Sequence, residues 1–336
     1  MAGGIAMTTL FRSPLAPRMA TFLDARCALG RNPASYAKIL RRLDDFFVAE
    51  LEPGQAIARE LIEKWIREMR SLSVGTRINR ICVLRQFCLY VSHFDRRTCL
   101  VPPRCTPRRT RRAPYIYSLE EVQLLQEEAS KIGPPGSLRA ETMVTLIGLL
   151  YSTGLRIGEA LKLTLGDVDL QERLLTVKLT KFRKSRYVPL SPSTAKALAT
   201  YLDRRASAGI LTTPQAGVFS SCQTGRAYHA TRIYVMFLEI ARRLGIRGKP
   251  GIRGPRLHDF RHTFAVQRLL DWYREGAELY AKLPLLATYL GHNNVTFTEV
   301  YLQATAELLE QANARFHARF ALPSLDSIKQ EVSHVS

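Results

Sequence analysis

The residues of this chain best suited to chemistry fall in four short patterns along the sequence. The first is Thr153-Gly154-Leu155-Arg156-Ile157-Gly158-Glu159-Ala160. The second is Lys181-Phe182-Arg183-Lys184-Ser185-Arg186-Tyr187-Val188-Pro189-Leu190. The third is His258-Asp259-Phe260-Arg261-His262-Thr263, and the fourth is Leu290-Gly291-His292 with Tyr301 nine residues further on. Each has a plain explanation when taken alone. Arg156 follows a glycine that ends a helical stretch, where a cation helps to satisfy the last carbonyls. Lys181 and Lys184 could be solvated residues of a hairpin. His258 and His262, four apart, could be a metal pair on a helix. The residue after His258 is Asp259, however, not the Glu of the HExxH pattern, and no third ligand is evident. His292 could cap a helix, and Tyr301 could be a half-buried core residue.

Together the four patterns resemble the tyrosine recombinase (phage integrase) family. The resemblance covers the second half of the chain, from about Ser118 to Tyr301, with every signature box in order. It rests on a Gly-Leu-Arg-x-x-Glu-Ala box, a lysine hairpin ending in Val-Pro-Leu, an HxxRH box and a Leu-Gly-His…Tyr box. The reaction it implies explains the residue types. Attack on a phosphodiester builds negative charge on the non-bridging oxygens, and arginine stays charged while offering paired donors that match them. Arg156 and Arg261 match the family's two catalytic arginines. The 5′ oxygen leaves poorly unless protonated, and Lys181 matches the general acid. Tyr301 matches the nucleophile. A phenol titrates near ~10, so it needs cations and a proton acceptor nearby, and His258 is the matching acceptor. His292 is expected to bond the phosphate, and Glu159 to position an arginine or His258. The implied protein is a site-specific DNA recombinase. It works through a 3′-phosphotyrosyl intermediate and a Holliday junction, in integration, excision or resolution of a mobile element. Its expected partners are double-stranded DNA with inverted half-sites, three further copies of itself in a homo-tetramer, and accessory DNA-binding proteins. No Gly-rich phosphate loop or acidic metal cluster occurs, and the resemblance implies no cofactor, neither ATP nor Mg²⁺.

The sequence departs from the family in two places. Lys-Phe-Arg-Lys stands where many relatives have Lys-Gly-x-Lys, which leaves Lys184 as an alternative acid, although the spacing to Val188-Pro189-Leu190 favours Lys181. Asp271 to Leu283 is longer than the usual connection, a variation that resembles recombinases carried by mobile elements.

The elements that must position these groups form a mainly α protein. A catalytic domain over 116–322 is expected to be mostly helical with one small β-sheet. Ser118-Leu-Glu-Glu121 is a capping-box pattern ahead of an apolar run. A helix from about Glu141 to Ser152 is closed by Gly154, and a short one covers Gly158 to Leu163. Leu174–Leu179 and Arg186–Leu190 read as a hairpin. From Pro192 the chain looks mostly helical to about Phe320, and a tail follows over 323–336. Past Tyr301, Ala306, Leu309, Ala312 and Phe316 recur at helical spacing, and the resemblance implies that this segment docks on a neighbouring protomer.

Ahead of this a helical bundle is expected over 31–100, which resembles the family's core-binding domain in length and pattern. Asn32-Pro33 reads as a helix start. Tyr36, Ile39, Leu40, Leu43 and Phe47 follow at helical spacing, then Leu61, Ile62, Trp65, Ile66 and Met69. A third helix after Thr76 gathers Ile81, Leu84, Cys88 and Val91, with Arg77, Arg80 and Arg85 on a basic side facing DNA. Residues 1–30 show no clear period and read as an extension open to disorder. Residues 101–115 carry four prolines and a run of arginines, and read as a basic linker. Its arginines Arg104, Arg108, Arg109, Arg111 and Arg112 are expected along a phosphate backbone, with Lys184 and Arg186 of the hairpin as further DNA contacts.

Composition agrees with a polyanionic partner. The 336 residues carry 49 Lys and Arg against 29 Asp and Glu, a formal net charge of +20. No apolar run approaches the roughly 18–20 residues that span a bilayer, and no secretory signal opens the chain. A cytoplasmic, nucleoid-associated protein without membrane contact is expected. The six cysteines, at 27, 82, 88, 99, 105 and 222, form no CxxC pair and read as buried free thiols. Two competing readings are a DNA-binding regulator with decayed catalysis and a type IB topoisomerase. No catalytic group is missing, which disfavours the first. Compact size and the Leu-Gly-His…Tyr spacing disfavour the second.

Overall fold

The computed structural model describes residues 11–30, 33–108, 114–134, 137–178, 185–221, 225–249, 251–252 and 254–291. The chain divides into two compact units, Met1–Arg112 and Ala113–Ser336.

Among the described residues the first unit holds four helices: α1 (Ala16–Ala28), α2 (Ala34–Glu50), α3 (Arg59–Glu68) and α4 (Val74–Ser92). Helix α1 corrects the expectation that residues 1–30 lack regular structure. Its apolar face is only Met19, Ala20, Phe22 and Leu23, too short to register as a period, yet all four are buried. Tertiary contacts supply what local pattern lacks. Phe22 meets Phe87 edge-on at 5.6 Å and Tyr90 at 5.4 Å. Arg26 lies over the Tyr36 ring at 4.2 Å while donating to Gln86 Oε1 at 2.7 Å. Helix α4 begins at Val74 because Ser73 caps it, its hydroxyl accepting from the Thr76 N–H at 3.3 Å. Asn32 lies outside the described residues, and Pro33 directly precedes α2.

The linker expectation also needs correction over its first half. Val101 is buried, Pro103–Cys105 make a 3₁₀ turn, and Arg85 donates to the carbonyls of Val101 and Pro102, both at 3.0 Å, and to Thr106 Oγ1 at 2.7 Å. Residues 101–106 therefore belong to the bundle, and Arg85 pins them there. Among the described cysteines only Cys88 is fully buried, its thiol pushed up to about 12 by that burial, while Cys27 is exposed.

The second unit is mainly helical with one small sheet, as the sequence implies. Helix α5 (Leu119–Ser130) starts with the anticipated capping box, Ser118 Oγ accepting from the Glu121 N–H at 3.1 Å and Glu121 Oε2 from the Ser118 N–H at 3.0 Å. Helix α6 (Arg139–Thr153) is the hub. Leu146, Ile147 and Leu150 are wholly buried, and α6 packs against α5, α8 (Pro192–Ser207) and α10 (Asp259–Arg274). Gly154 ends α6 at φ +62°. After it come the four-residue α7 (Ile157–Ala160), a 3₁₀ turn at Leu165–Asp167 and the strands β1 (Val168–Asp169), β2 (Leu174–Val177) and β3 (Arg186–Pro189). They form an antiparallel sheet in the order β1-β2-β3, with Val177 opposite Arg186. Strand β1, two residues long, is too short to show any alternation pattern. Helix α9 (Ala230–Arg243) closes the main core, and α10 shares a second apolar cluster with α11 (Leu279–Leu290) through Leu269, Leu270, Leu283, Leu286 and Leu290.

Candidate active site

The site is built where four helix ends and one strand converge. Arg156 occupies the cap position of α7, two residues past Gly154, and its extended backbone turns its side chain back over that short helix. Its guanidinium Nη1 donates to Glu159 Oε1 at 2.7 Å, and its backbone N–H donates to Glu159 Oε2 at 3.0 Å. Its Nη2 donates to the Gly291 carbonyl at 3.2 Å, at the end of α11. Arg261, on the first turn of α10, donates to the Gly154 carbonyl at 3.0 Å and to the Leu290 carbonyl. The last carbonyls of a helix lack intrahelical partners and carry partial negative charge, so they are natural seats for cations. The two arginines thus grip the C-terminal ends of α6 and α11, and their partners on α11 are the consecutive residues Leu290 and Gly291. They differ in access. The Arg156 side chain is 34% exposed, whereas Arg261 is 1% exposed.

Both glycines at these helix ends are required by conformation, Gly154 at φ +62° and Gly291 at φ +65°. A Cβ on Gly154 would lie 2.6 Å from Phe264 Cδ1. A Cβ on Gly291 would lie 3.4 Å from Arg186 Nη1 and 3.8 Å from Arg156 Nη1, so the turn before His292 rests directly on two guanidiniums.

Glu159 bonds Arg156 and a second arginine as well. Arg186 on β3 donates from Nη2 to Glu159 Oε2 at 2.8 Å and from Nη1 to Oε1 at 3.4 Å. Burial alone would push this carboxyl up. The bonds and charge of Arg186, joined by the bonds from Arg156, outweigh it and bring the carboxyl down to about 2. Arg186, expected on DNA, is instead committed to this pair with 13% side-chain exposure.

His258 stands exposed at the N-terminal end of α10, and it packs edge-on to His262 at 4.8 Å. The surrounding protein pushes both imidazoles down to about 4, so both are neutral at neutral pH. For His258 burial is the main cause, and His262, Arg261 and Arg256 add to it. For His262 burial again leads, with Asp259 opposing and the same two arginines adding. The intervening Asp259 is fully buried and bonds Arg256 through both the backbone N–H and the guanidinium, each at 2.8 Å. Among the described residues no group of three or more His, Cys, Asp or Glu is placed to hold a metal ion.

Arg156, Glu159, Lys162, Asp167, Lys178 and His258 line one open cleft of about 430 Å³. Sequence reasoning missed Lys178 and Asp167, which pair at 2.5 Å beside Arg156. Nothing in their spacing marks them, because the pairing runs from the 3₁₀ turn to the end of β2. Lys181, Lys184, His292 and Tyr301 lie outside the described residues. Of the expected DNA contacts, Arg77 and Arg80 sit half-buried on α4, and burial with nearby Arg42 pushes the Arg80 guanidinium down. Arg104 and Arg108 are exposed. Arg109, Arg111 and Arg112 lie outside the described residues, and Arg85 is spent on the bundle.

Comparison with known proteins shows the family and the fold. The model of the phage integrase family matches residues 114–307, more than half of the chain. The integrase/recombinase y4rB of Sinorhizobium fredii is 37% identical over 280 residues, covering 82% of this chain and 89% of that protein. The tyrosine recombinase XerD of Mycobacterium leprae is 32% identical over 222 residues, covering 63% of this chain and 64% of that protein. Among solved structures, the Tn1549 transposon integrase in complex with transposon right-end DNA shares the fold. Its TM-score is 0.66 at 18% identity, covering 93% of this chain and 100% of that one.

Proposed function

Because the chain belongs to the phage integrase family and is a tyrosine site-specific recombinase, we propose that it breaks and rejoins double-stranded DNA through a covalent bond between Tyr301 and a DNA phosphate. The observation that carries this reading is the meeting of Arg156 and Arg261 on the consecutive carbonyls of Gly291 and Leu290, immediately ahead of His292 and one short segment ahead of Tyr301. Two cations gathered beside the turn that leads to a phenol is the arrangement that phosphoryl transfer to tyrosine needs.

In the cleavage step the Tyr301 oxygen bonds to phosphorus and the bond from phosphorus to the 5′ oxygen breaks. The phenolic proton passes to His258, which is neutral and able to accept it. Lys181 donates a proton to the leaving 5′ oxygen, with Lys184 as the alternative donor. Arg156 meets the phosphate from the open side of the cleft. Arg261 reaches it from the protein interior by exchanging a helix-end carbonyl for a phosphate oxygen. His292 adds a further bond to the phosphate. Religation is the reverse, with a 5′ hydroxyl attacking the phosphotyrosine, and the bond energy is conserved throughout.

Both units would hold one half-site, with Arg104, Arg108, Arg109, Arg111 and Arg112 along its phosphate backbone. Arg77 and Arg80 would face the duplex. Four copies would complete an exchange, since four strands are cut and each chain carries one Tyr301. The outcome would be integration, excision or resolution of a mobile element, with accessory DNA-binding proteins as further partners. Among the described residues no helix is long and apolar enough to cross a membrane, and work on DNA would put the protein at the cytoplasmic nucleoid.

The test is Tyr301→Phe on duplexes bearing half-sites that the purified chain selects from a random pool. The wild type forms a DNA adduct that survives denaturation. The variant binds the same duplexes and forms none. An adduct that persists in the variant assigns the nucleophile to another residue.

A further inference from the structure

We infer that Arg186 is a positioning residue for strand cleavage: by sharing the Glu159 carboxylate with Arg156, it orients the Arg156 guanidinium and keeps its charge directed at the phosphate. The inference rests on the reaction proposed above.

A carboxylate offers two oxygens and about four lone-pair sites. At Glu159 two arginines occupy all of them. Oε1 accepts from Arg156 Nη1 and Arg186 Nη1, and Oε2 accepts from the Arg156 backbone N–H and Arg186 Nη2. The occupancy fixes the carboxylate plane from two sides, one belonging to α7 and the other to β3. It therefore fixes the oxygen that holds Arg156 Nη1, while Nη2 is held by the Gly291 carbonyl, so the guanidinium is set from both ends. The same two guanidiniums lie under Gly291, so the strand, the short helix and the end of α11 meet at one ionic cluster.

Charge and access point to the same role. One carboxylate faces two guanidiniums, which leaves the cluster with a net positive charge. Arg186 and Glu159 are 13% and 11% exposed at their side chains, and Arg156 is 34% exposed. The uncompensated charge is thus presented to the cleft through Arg156. Without Arg186, Glu159 and Arg156 would form a neutral pair, and a buried carboxylate with empty acceptor sites would draw the guanidinium toward itself. The low titration of Glu159 agrees, since the carboxyl stays ionised between the two cations. Direct contact of Arg186 with DNA fits the geometry less well, because a side chain spent on Glu159 and largely covered has little surface to offer.

The experiment compares cleavage of two suicide duplexes on selected half-sites, one with the natural scissile phosphate and one with a methylphosphonate there. Methyl in place of a non-bridging oxygen removes the negative charge, and with it most of the need for a directed cation. On phosphate DNA, Arg186→Ala is expected to cleave about 10- to 100-fold more slowly than wild type. On methylphosphonate DNA it should come within about threefold of wild type. Arg156→Ala should show the same pattern, and Arg156→Ala with Arg186→Ala should be no slower than Arg156→Ala alone. Arg186→Lys keeps the charge and loses the planar fork, so it should fall between wild type and Arg186→Ala, and it serves if Arg186→Ala does not fold. Equal slowing on both duplexes overturns the inference, because a purely structural residue does not distinguish them. Weaker half-site binding with an unchanged cleavage rate overturns it in favour of a DNA contact. A wild-type chain that forms no Tyr301-dependent adduct on either duplex brings down the proposed reaction as well, whereas a working wild type confines failure to Arg186.

Discussion

Two histidines four apart on a helix face look like metal ligands, and in the folded protein they are a pair of neutral rings set among arginines. Their environment has a consequence for stability. The unfolded chain takes up protons at these imidazoles near the ordinary value of about 6.5, while the folded chain resists until about 4. Between those limits the unfolded state binds more protons, so stability falls as pH drops from about 6.5 to 4 and is independent of these groups above 6.5. Glu159 acts lower. Its contribution is present above about 4.5 and is lost as pH falls toward 2. Thermal unfolding across this range should show a shallower decline from pH 6.5 to 4 for His258→Gln with His262→Gln than for wild type. An identical slope would mean that the imidazoles titrate alike in both states. Neutral His258 is also what the proposed role of proton acceptor for Tyr301 would require.

Helix ends, more than helix faces, make this site. Gly154 supplies a carbonyl to Arg261, lets the chain turn into α7 and leaves room for Phe264. Gly154→Ala should therefore carry two costs, the left-handed backbone and a Cβ 2.6 Å from Phe264. Gly209 has a similar φ of +73° with nothing within 4 Å of a Cβ, and Gly209→Ala isolates the first cost. Denaturant unfolding should give about 1 kcal/mol for Gly209→Ala and about 2–4 kcal/mol for Gly154→Ala. Equal losses would show that Phe264 yields freely and that packing at the α6 end is loose. Elements also explain why two arginines expected on DNA are engaged elsewhere. Arg85 binds the chain leaving α4, and Arg186 binds the chain entering α7. In each case a buried backbone or carboxylate acceptor competes for a cation that solvent would otherwise hold.

At the scale of the whole molecule, the proposed reaction, with one Tyr301 per chain, would require several copies to assemble. Segment 303–320 follows Tyr301 directly and its sequence repeats apolar residues at helical spacing, so under the proposed function it would be the link between neighbouring copies. A chain truncated after Gln303 should bind a single half-site as wild type does, yet fail to pair two sites or complete strand exchange. Native gel shifts resolve these two steps. Normal recombination by the truncated chain would move the coupling surface elsewhere, with the N-terminal helices the next candidate. The net charge of +20 bears on this scale as well, since it favours DNA as the surface on which copies collect.

By itself the sequence determined the family, the mainly helical class with its small sheet, the capping box at Ser118 and the glycine stop at residue 154. Each is written in residues close together along the chain, where spacing and local backbone preference are sufficient. The identities of Arg156, Glu159, His258 and Arg261 were legible for the same reason, as members of short boxes. Their partners were not. Arg186 and Glu159 are 27 residues apart, Arg261 and Gly154 are 107 apart, and Arg156 and Gly291 are 135 apart. Helix α1 was equally hidden, because a face of four apolar residues acquires meaning only against Phe87 and Tyr90. Which cation a buried carboxylate or carbonyl captures is settled when separate elements pack and exclude water. At that point an unpaired charge or acceptor costs more than any local preference returns. Only the tertiary structure could decide that Arg156 is left facing the cleft while Arg186 is held behind it.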